Sequence, residues 1–311
     1  MDKNSKIYIP GHLGLVGSAM IRMLQLKGYS NLIVRTSQEL DLTNQNEVAL
    51  FFEKEQPDYV FFMAGKVGGI LANKQYKAEF IYQNIVIQSN IIHQAYLSGV
   101  KKLIFIASST VYPKEAQQPL KEIDLLSGKL DPSNEYYSIA KIAGIKMCEA
   151  YRSQYGCDFI SVIPTNLYGP NDNYDLKNSH VLPALLRKFM TAKTKGETAV
   201  TIWGTGKPLR EFMHVDDMAS ACLFLMENFS ESGTINIGVG KEITILDLAK
   251  LIKQIICYEG EILTDPTMPD GAQRKLLDCS KLTNLGWTPS ISLTDGIKNV
   301  VEDIKGKDWS V

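Results

Sequence analysis

Residues 6–28 read KIYIPGHLGLVGSAMIRMLQLKG. An apolar run at 6–11 passes into Gly11, Gly14 and Gly17, then into an amphipathic stretch at 17–28 that ends on Gly28. A short apolar run closed by glycine reads as a buried strand, and apolar residues at helical spacing read as a helix. A G-x-x-G-x-x-G loop between them lets backbone N–H groups approach a diphosphate, which the positive end of the helix favours. Three glycines in a loop often only make a turn; the strand before and the helix after turn this one into a dinucleotide-binding loop.

Outward from this loop the rhythm repeats. Residues 31–36, 58–65 and 101–109 read as strands, and 46–55 and 77–97 as helices. Such βαβ alternation predicts an α/β fold, a Rossmann-type doubly wound parallel sheet with right-handed crossovers. A helix over about 137–155 and a strand over 159–169 follow. The texture then turns polar and irregular at NDNYDLKNSH, 171–180, before a helix at 181–193 and a strand at 198–204. Residues 215–228 read as a helix with Asp216 and Asp217 in its first turn, where carboxylates suit the dipole. A strand at 233–240 and a helix at 244–257, with Thr244 as N-cap, come next.

The chain has 311 residues, which at about 150 per domain suggests two. We expect a dinucleotide-binding lobe of residues 1–166 plus about 211–238, and a smaller α/β substrate lobe of about 167–210 and 239–311. Lys+Arg number 33 against 34 Asp+Glu, a net charge of -1, so no basic surface for nucleic acid or membrane is expected. No apolar stretch approaches the ~18 residues of a membrane span. The five cysteines are widely spaced, without a CxxC, and the four histidines do not cluster with them; neither disulfides nor a metal site is expected, and a reducing cytoplasm is the default.

Two further patterns carry chemistry. After the second strand stand Arg35, Thr36 and Ser37, where an NAD site usually has an acidic residue for the ribose hydroxyl. A cation and two hydroxyls there favour a 2′-phosphate, hence NADP(H), over the alternative that Arg35 is simply a solvated strand-end charge. Asp41 and Leu42 lie where adenine contacts are expected. Tyr137 and Lys141 stand four apart on one helix face, with Ser108 and Ser109 at the end of the preceding strand. Strand ends face the ligand crevice in such a sheet, so these groups can converge. Tyr137 can then be a general acid on a carbonyl oxygen that Ser108 also holds, with Lys141 lowering the phenol pKa. A bare Y-x-x-x-K is commonly only a solvated helix face; the glycine loop and the strand-end serine favour the catalytic reading.

These residues resemble the extended short-chain dehydrogenase/reductase family, and within it the GDP-L-fucose synthase group. The resemblance runs over nearly the whole chain: PGHLGLVGSA (10–19), KVGGILAN (66–73), FIYQN (80–84), SNIIH (89–93), NEYYSIAKIAGIKMCE (134–149), PTNLYGPNDN (164–173), NSHVLPALLRKF (178–189), WGTGKPLREFMHVDDMA (203–219) and PDGAQRKLLD (269–278). It implies enzymes that epimerise C3 and C5 of a GDP-4-keto-6-deoxy sugar and reduce C4 with NADPH. It assigns reduction to Ser108, Tyr137 and Lys141, and epimerisation to His180 with a cysteine two residues after the serine. The implied cofactor set is Gly11, Gly14, Leu15, Val16, Gly17, Arg35, Ser37, Asp41, Leu42, Ala64, Lys66, Ala107, Tyr137, Lys141, Pro164, Asn166, Leu167 and His180. The implied substrate set is Ser108, Ser109, Asn166, Lys188, Trp203, Arg210, Asp270 and Arg274. Lys188 and Arg210 suit a diphosphate; Trp203 offers a flat face and reads equally as core; Asp270 suits guanine N–H donors and reads equally as a turn residue. The resemblance also implies a homodimer built on helices near 80–97 and 138–155.

The chain departs from the pattern twice. Thr110 stands at the cysteine position. A thiol of pKa near ~8.5 exchanges protons at neutral pH and an alcohol practically does not, so we expect a C4 reductase with epimerisation lost or weak. Leu13 and Ser37 stand where relatives often carry 2′-phosphate arginines, so some NADH use is expected beside NADPH. The full bifunctional synthase, an epimerase with tightly held NAD and a non-catalytic dinucleotide sensor are the alternatives.

Overall fold

The computed structural model describes residues 1–176 and 178–306. The chain opens with β1 (Ile7–Tyr8), α1 (Leu15–Leu26), β2 (Leu32–Ile33), α2 (Gln45–Glu55) and β3 (Tyr59–Phe62). Then come α3 (Ile70–Gln75), α4 (Lys77–Leu97), β4 (Lys102–Ile106), α5 (Glu135–Tyr155) and β5 (Phe159–Pro164). Next are β6 (Asn166–Tyr168), α6 (Val181–Lys195), β7 (Ala199–Trp203), β8 (Leu209–His214), α7 (Val215–Asn228) and β9 (Thr234–Ile237). The chain finishes with β10 (Glu242–Thr244), α8 (Ile245–Ile256), β11 (Glu261–Asp265), β12 (Arg274–Lys275), α9 (Ser280–Asn284) and α10 (Leu293–Asp303).

Six parallel strands form one sheet in the order β2-β1-β3-β4-β5-β9. Its central strands are largely apolar because helices cover both faces; Lys102 and Ser161 are the buried polar exceptions in β4 and β5. Phe61, Ile104 and Ile160 pack with α1 and α7 residues such as Leu24 and Met218. Val60, Phe62, Leu103 and Phe105 point the other way, into the cluster that holds Phe52, Ile91 and Ile145. Strand order reverses at β1, so a crevice opens above the carboxyl ends of β1 and β3. This is the Rossmann-type sheet that the alternation predicts.

The run 159–169 does not stay one strand. At Thr165 it leaves the large sheet, and β6 pairs with β8 in a second sheet whose other strands are β10 and β12. β7 and β11 form a third, two-stranded sheet. Around these lies a separate apolar cluster that includes Leu186, Phe189, Leu248, Ile252, Ile297 and Val300. Part of the expected substrate lobe, Lys177 and residues 307–311, lies outside the described residues. Thr244 caps α8, its hydroxyl accepting from Asp247 N at 3.0 Å, as predicted.

Candidate active site

The glycine loop is shaped by close approach. Gly11 has φ +85°, and a Cβ there would sit 2.8 Å from the Ala64 backbone at the end of β3. A Cβ on Gly17 would lie 2.1 Å from the Gly11 carbonyl oxygen. α1 therefore begins hard against the loop, with Leu15 and Val16 in its first turn. Its N-cap, Gly14, supplies no side-chain bond, and no carboxylate stands in that turn. The first-turn N–H groups are thus open to an anion, and the cradle fits a dinucleotide diphosphate.

At the end of β2 the cation is already engaged. Arg35 pairs with Glu55 at 2.6 Å and lies over the Phe51 ring. Glu39 turns back to accept from Thr36 N at 2.7 Å and Thr36 Oγ1 at 2.9 Å, and these bonds lower its pKa. Ser37 is exposed, Asp41 accepts from Thr43, and Leu42 is fastened by Asn90 through its carbonyl.

Ser108, Tyr137 and Lys141 converge. Ser108 follows β4 and Ala107; Tyr137 and Lys141 sit in the first two turns of α5. The Ser108 hydroxyl accepts from Thr110 N at 3.3 Å and from Thr110 Oγ1 at 3.2 Å, and hydrogen-bonds to Tyr137. Lys141 Nζ donates to the Ile106 carbonyl at 2.9 Å and lies 6.0 Å from the Tyr137 ring centre. Burial lowers the Lys141 pKa to about 8. The expected lowering of the Tyr137 pKa is corrected: burial dominates, the Ser108 hydrogen bond opposes it only in part, and the pKa rises. Tyr137 is therefore a protonated phenol at neutral pH.

From this centre a cleft of about 310 Å³ runs towards β7, β8 and β12. Ser108, Thr110, Tyr137, Asn166, Leu167 and His180 line its near end, and Lys188, Trp203, Arg210 and Asp270 its far end. The His180 imidazole is open to the cleft yet ringed by protein, and this burial, helped by Lys275, lowers its pKa. Lys188 donates to the Thr201 carbonyl at 2.9 Å and lies 5.4 Å over Trp203, which is 40 % exposed. Both Asp270 oxygens accept from Thr205, at 2.6 and 2.9 Å, so this carboxylate braces the WGTG loop. Ser109 is buried in a 3-10 turn, away from the cleft lining.

Sequence comparison now has a site to attach to. Residues 7–238 match the NAD dependent epimerase/dehydratase family. The chain belongs to that family. This epimerase/dehydratase-family chain is 56 % identical over 301 residues to GDP-L-fucose synthase 1 of Arabidopsis thaliana, covering 97 % of this chain and 93 % of the relative. Among solved structures it is similar to a GDP-6-OMe-4-keto-L-xylo-heptose reductase from C. jejuni, with TM-score 0.93 and 42 % identity over 97 % of this chain and 98 % of that one. It is also similar to a GDP-mannoheptose C4 reductase from Campylobacter jejuni with NADP bound, with TM-score 0.91 and 43 % identity over 98 % and 99 %. The family resemblance read from the sequence holds.

Within this epimerase/dehydratase scaffold the structure singles out residues that motif reading passed over. Arg274 pairs with Glu242 at 2.8 Å and does not line the cleft; Lys275, its neighbour, does. Successive side chains on a strand point to opposite faces, which separates the two. Lys275 stands in register with Arg210 on the adjacent strand. Burial and the Arg210 charge lower the Lys275 pKa to about 8, and neither cation has an ion pair among the described residues. Two neighbouring half-buried cations are costly alone and suit a diphosphate. Asn84 on α4 fixes the loop after β3: its side chain accepts from Lys66 N at 3.1 Å and donates to Lys66 O at 3.0 Å. A two-residue strand shows no alternation that would have picked Lys275 over Arg274, and nothing local in the sequence marks Asn84.

Proposed function

We propose that this chain is an NADPH-dependent reductase acting at C4 of a GDP-4-keto-6-deoxy sugar, a hexose or a heptose, with epimerisation at C3 and C5 lost or weak. One observation carries the reading: the reducing trio is assembled, while the position two after Ser108 holds a threonine whose hydroxyl is tied to Ser108. That hydroxyl cannot shuttle a carbon-bound proton at neutral pH.

The glycine loop and the start of α1 would hold the cofactor diphosphate, and Lys141 its nicotinamide ribose. When bound, NADPH supplies the hydride that reduces C4. Tyr137 gives its proton to the C4 oxygen as negative charge develops there. Ser108 accepts two bonds from Thr110, so its one proton goes to the Tyr137 oxygen, where it steadies the phenolate left behind. The Lys141 ammonium, close to its pKa at neutral pH, stabilises the phenolate. Arg210 and Lys275 hold the diphosphate of the substrate, Lys188 adds a third cation, and Trp203 presents a flat face to the base. The family's solved reductase with NADP bound supports NADPH; Arg35, engaged by Glu55, leaves the 2′-phosphate few cations and supports some use of NADH.

The two-lobe division and a homodimer on α4 and α5 belong to the same reading. No described helix is long and apolar enough to cross a membrane, and a cytoplasmic site follows the family's biosynthetic role. The bifunctional synthase is the second reading, favoured by His180 lining the cleft. A panel of GDP-4-keto-6-deoxy sugars, epimerised beforehand or not, assayed with NADPH and followed by NMR of the products, tests the proposal. Reduction that leaves C3 and C5 as supplied supports it; inversion at either carbon contradicts it.

A further inference from the structure

The structure assigns Glu211 the role of a positioning residue, whose buried carboxylate sets where Lys275 stands in the nucleotide end of the cleft. This rests on the reading of that cleft as a GDP-sugar site. Glu211 lies on β8 beside Arg210 and is fully buried, at 0 % exposure. A carboxylate there is tolerable only if its oxygens are bonded. Oε1 accepts from Val239 N at 2.6 Å and Gly240 N at 2.7 Å, and Oε2 accepts from Leu277 N at 3.1 Å.

The donors come from two places that matter. Val239 and Gly240 stand two and three residues after β9, the edge strand of the six-stranded sheet. Leu277 lies two residues after Lys275, about 7 Å along an extended chain. One carboxylate thus fastens the segment carrying Lys275 to the sheet carrying the cofactor loop. Its own carbonyl accepts from Thr165 Oγ1 at 3.2 Å and Asn166 Nδ2 at 2.8 Å, where the chain crosses between sheets. The fit is close, since a Cβ on Gly238 would lie 2.4 Å from Oε1. Leu276 is held from the opposite side by Gln118 Oε1 at 2.8 Å. No neutral residue reproduces three acceptor bonds from two oxygens; glutamine would turn an N–H towards an N–H.

The test compares GDP and NADPH binding, by calorimetry on the full chain, in Glu211→Gln, Lys275→Ala and the double variant. If Glu211 acts through Lys275, Glu211→Gln weakens GDP binding about tenfold and leaves NADPH affinity within about twofold. In the Lys275→Ala background the same change then costs less than about twofold. Unchanged GDP affinity in Glu211→Gln, additive losses in the double variant, or parallel loss of NADPH binding each overturn the assignment. Should Glu211→Gln fail to fold, Glu211→Asp, which keeps the charge and draws it back one methylene, carries the same comparison. Failure of both to bind NADPH overturns it too, because the carboxylate would then serve the whole fold. Lys275→Ala with wild-type GDP affinity contradicts the cleft reading itself; weakened Lys275→Ala beside unchanged Glu211→Gln contradicts only the role of Glu211.

Discussion

Tyr137 meets the needs of a proton donor to a ketone: a buried phenol with a raised pKa, a hydroxyl on its oxygen and an ammonium nearby. Tyr137→Phe removes the proton and little else, so NADPH oxidation with a 4-keto substrate should fall about 10²–10⁴-fold in kcat, NADPH binding being retained. The second residue-scale prediction concerns Lys275. Its folded pKa of about 8 lies below its ordinary 10.5. Below pH 8 the folded protein carries the half-buried ammonium at its full cost, and stability rises between 8 and 10.5 as the folded state sheds a proton the unfolded chain retains. Lys275→Met should therefore raise the Tm of the ligand-free protein at pH 7 by about 3 °C, the gain shrinking towards pH 10.5, while GDP binding weakens. Differential scanning calorimetry against pH checks both signs. At this scale the trio was legible, because Ser108, Tyr137 and Lys141 have fixed spacings on a strand end and a helix. Lys275 was not, because a single register step decides whether it or Arg274 faces the cleft, and β12 is only two residues long.

The elements that hold the cofactor depend on one contact. A Cβ at Gly17 would strike the Gly11 carbonyl. Gly17→Ala should thus displace α1 from the loop and weaken NADPH binding at least about 100-fold, read by fluorescence titration; unchanged affinity would count against the cradle. The helices 77–97 and 215–228 match their apolar spacing to the residue. Strands were less legible. The apolar run 6–11 contains only a two-residue β1, because Pro10 and Gly11 already belong to the loop. The run 159–169 splits after Thr165, whose N–H still bonds Ile237 of β9 at 2.9 Å while its hydroxyl reaches Glu211 of β8, and pairing passes to β8 from Asn166 on. β10 and β12 are short, and β8 and β11 depend on partners distant in sequence, so no local pattern announces them.

Across the whole molecule, two sheets of different parentage meet along one crevice, and the chemistry lies at the meeting. The alternation of strands and helices made the large sheet legible; the small sheets pair strands distant in sequence, which no local alternation marks. The outer faces of α4 and α5 leave Tyr82 64 %, Leu97 59 % and Tyr155 48 % exposed, an apolar surface continuous with the Tyr96–Tyr155 stack. A homodimer covering it should sediment at twice the chain mass, and Leu97→Glu should shift it towards monomer. The central claim, reduction without epimerisation, is tested most directly in D2O. The protein is incubated with GDP-4-keto-6-deoxy-mannose and NADPH, and the product is read by NMR. The account predicts hydride at C4 and no deuterium at C3 or C5, with exchange appearing in Thr110→Cys. Ready deuterium incorporation at C3 and C5 by the wild-type protein would contradict it.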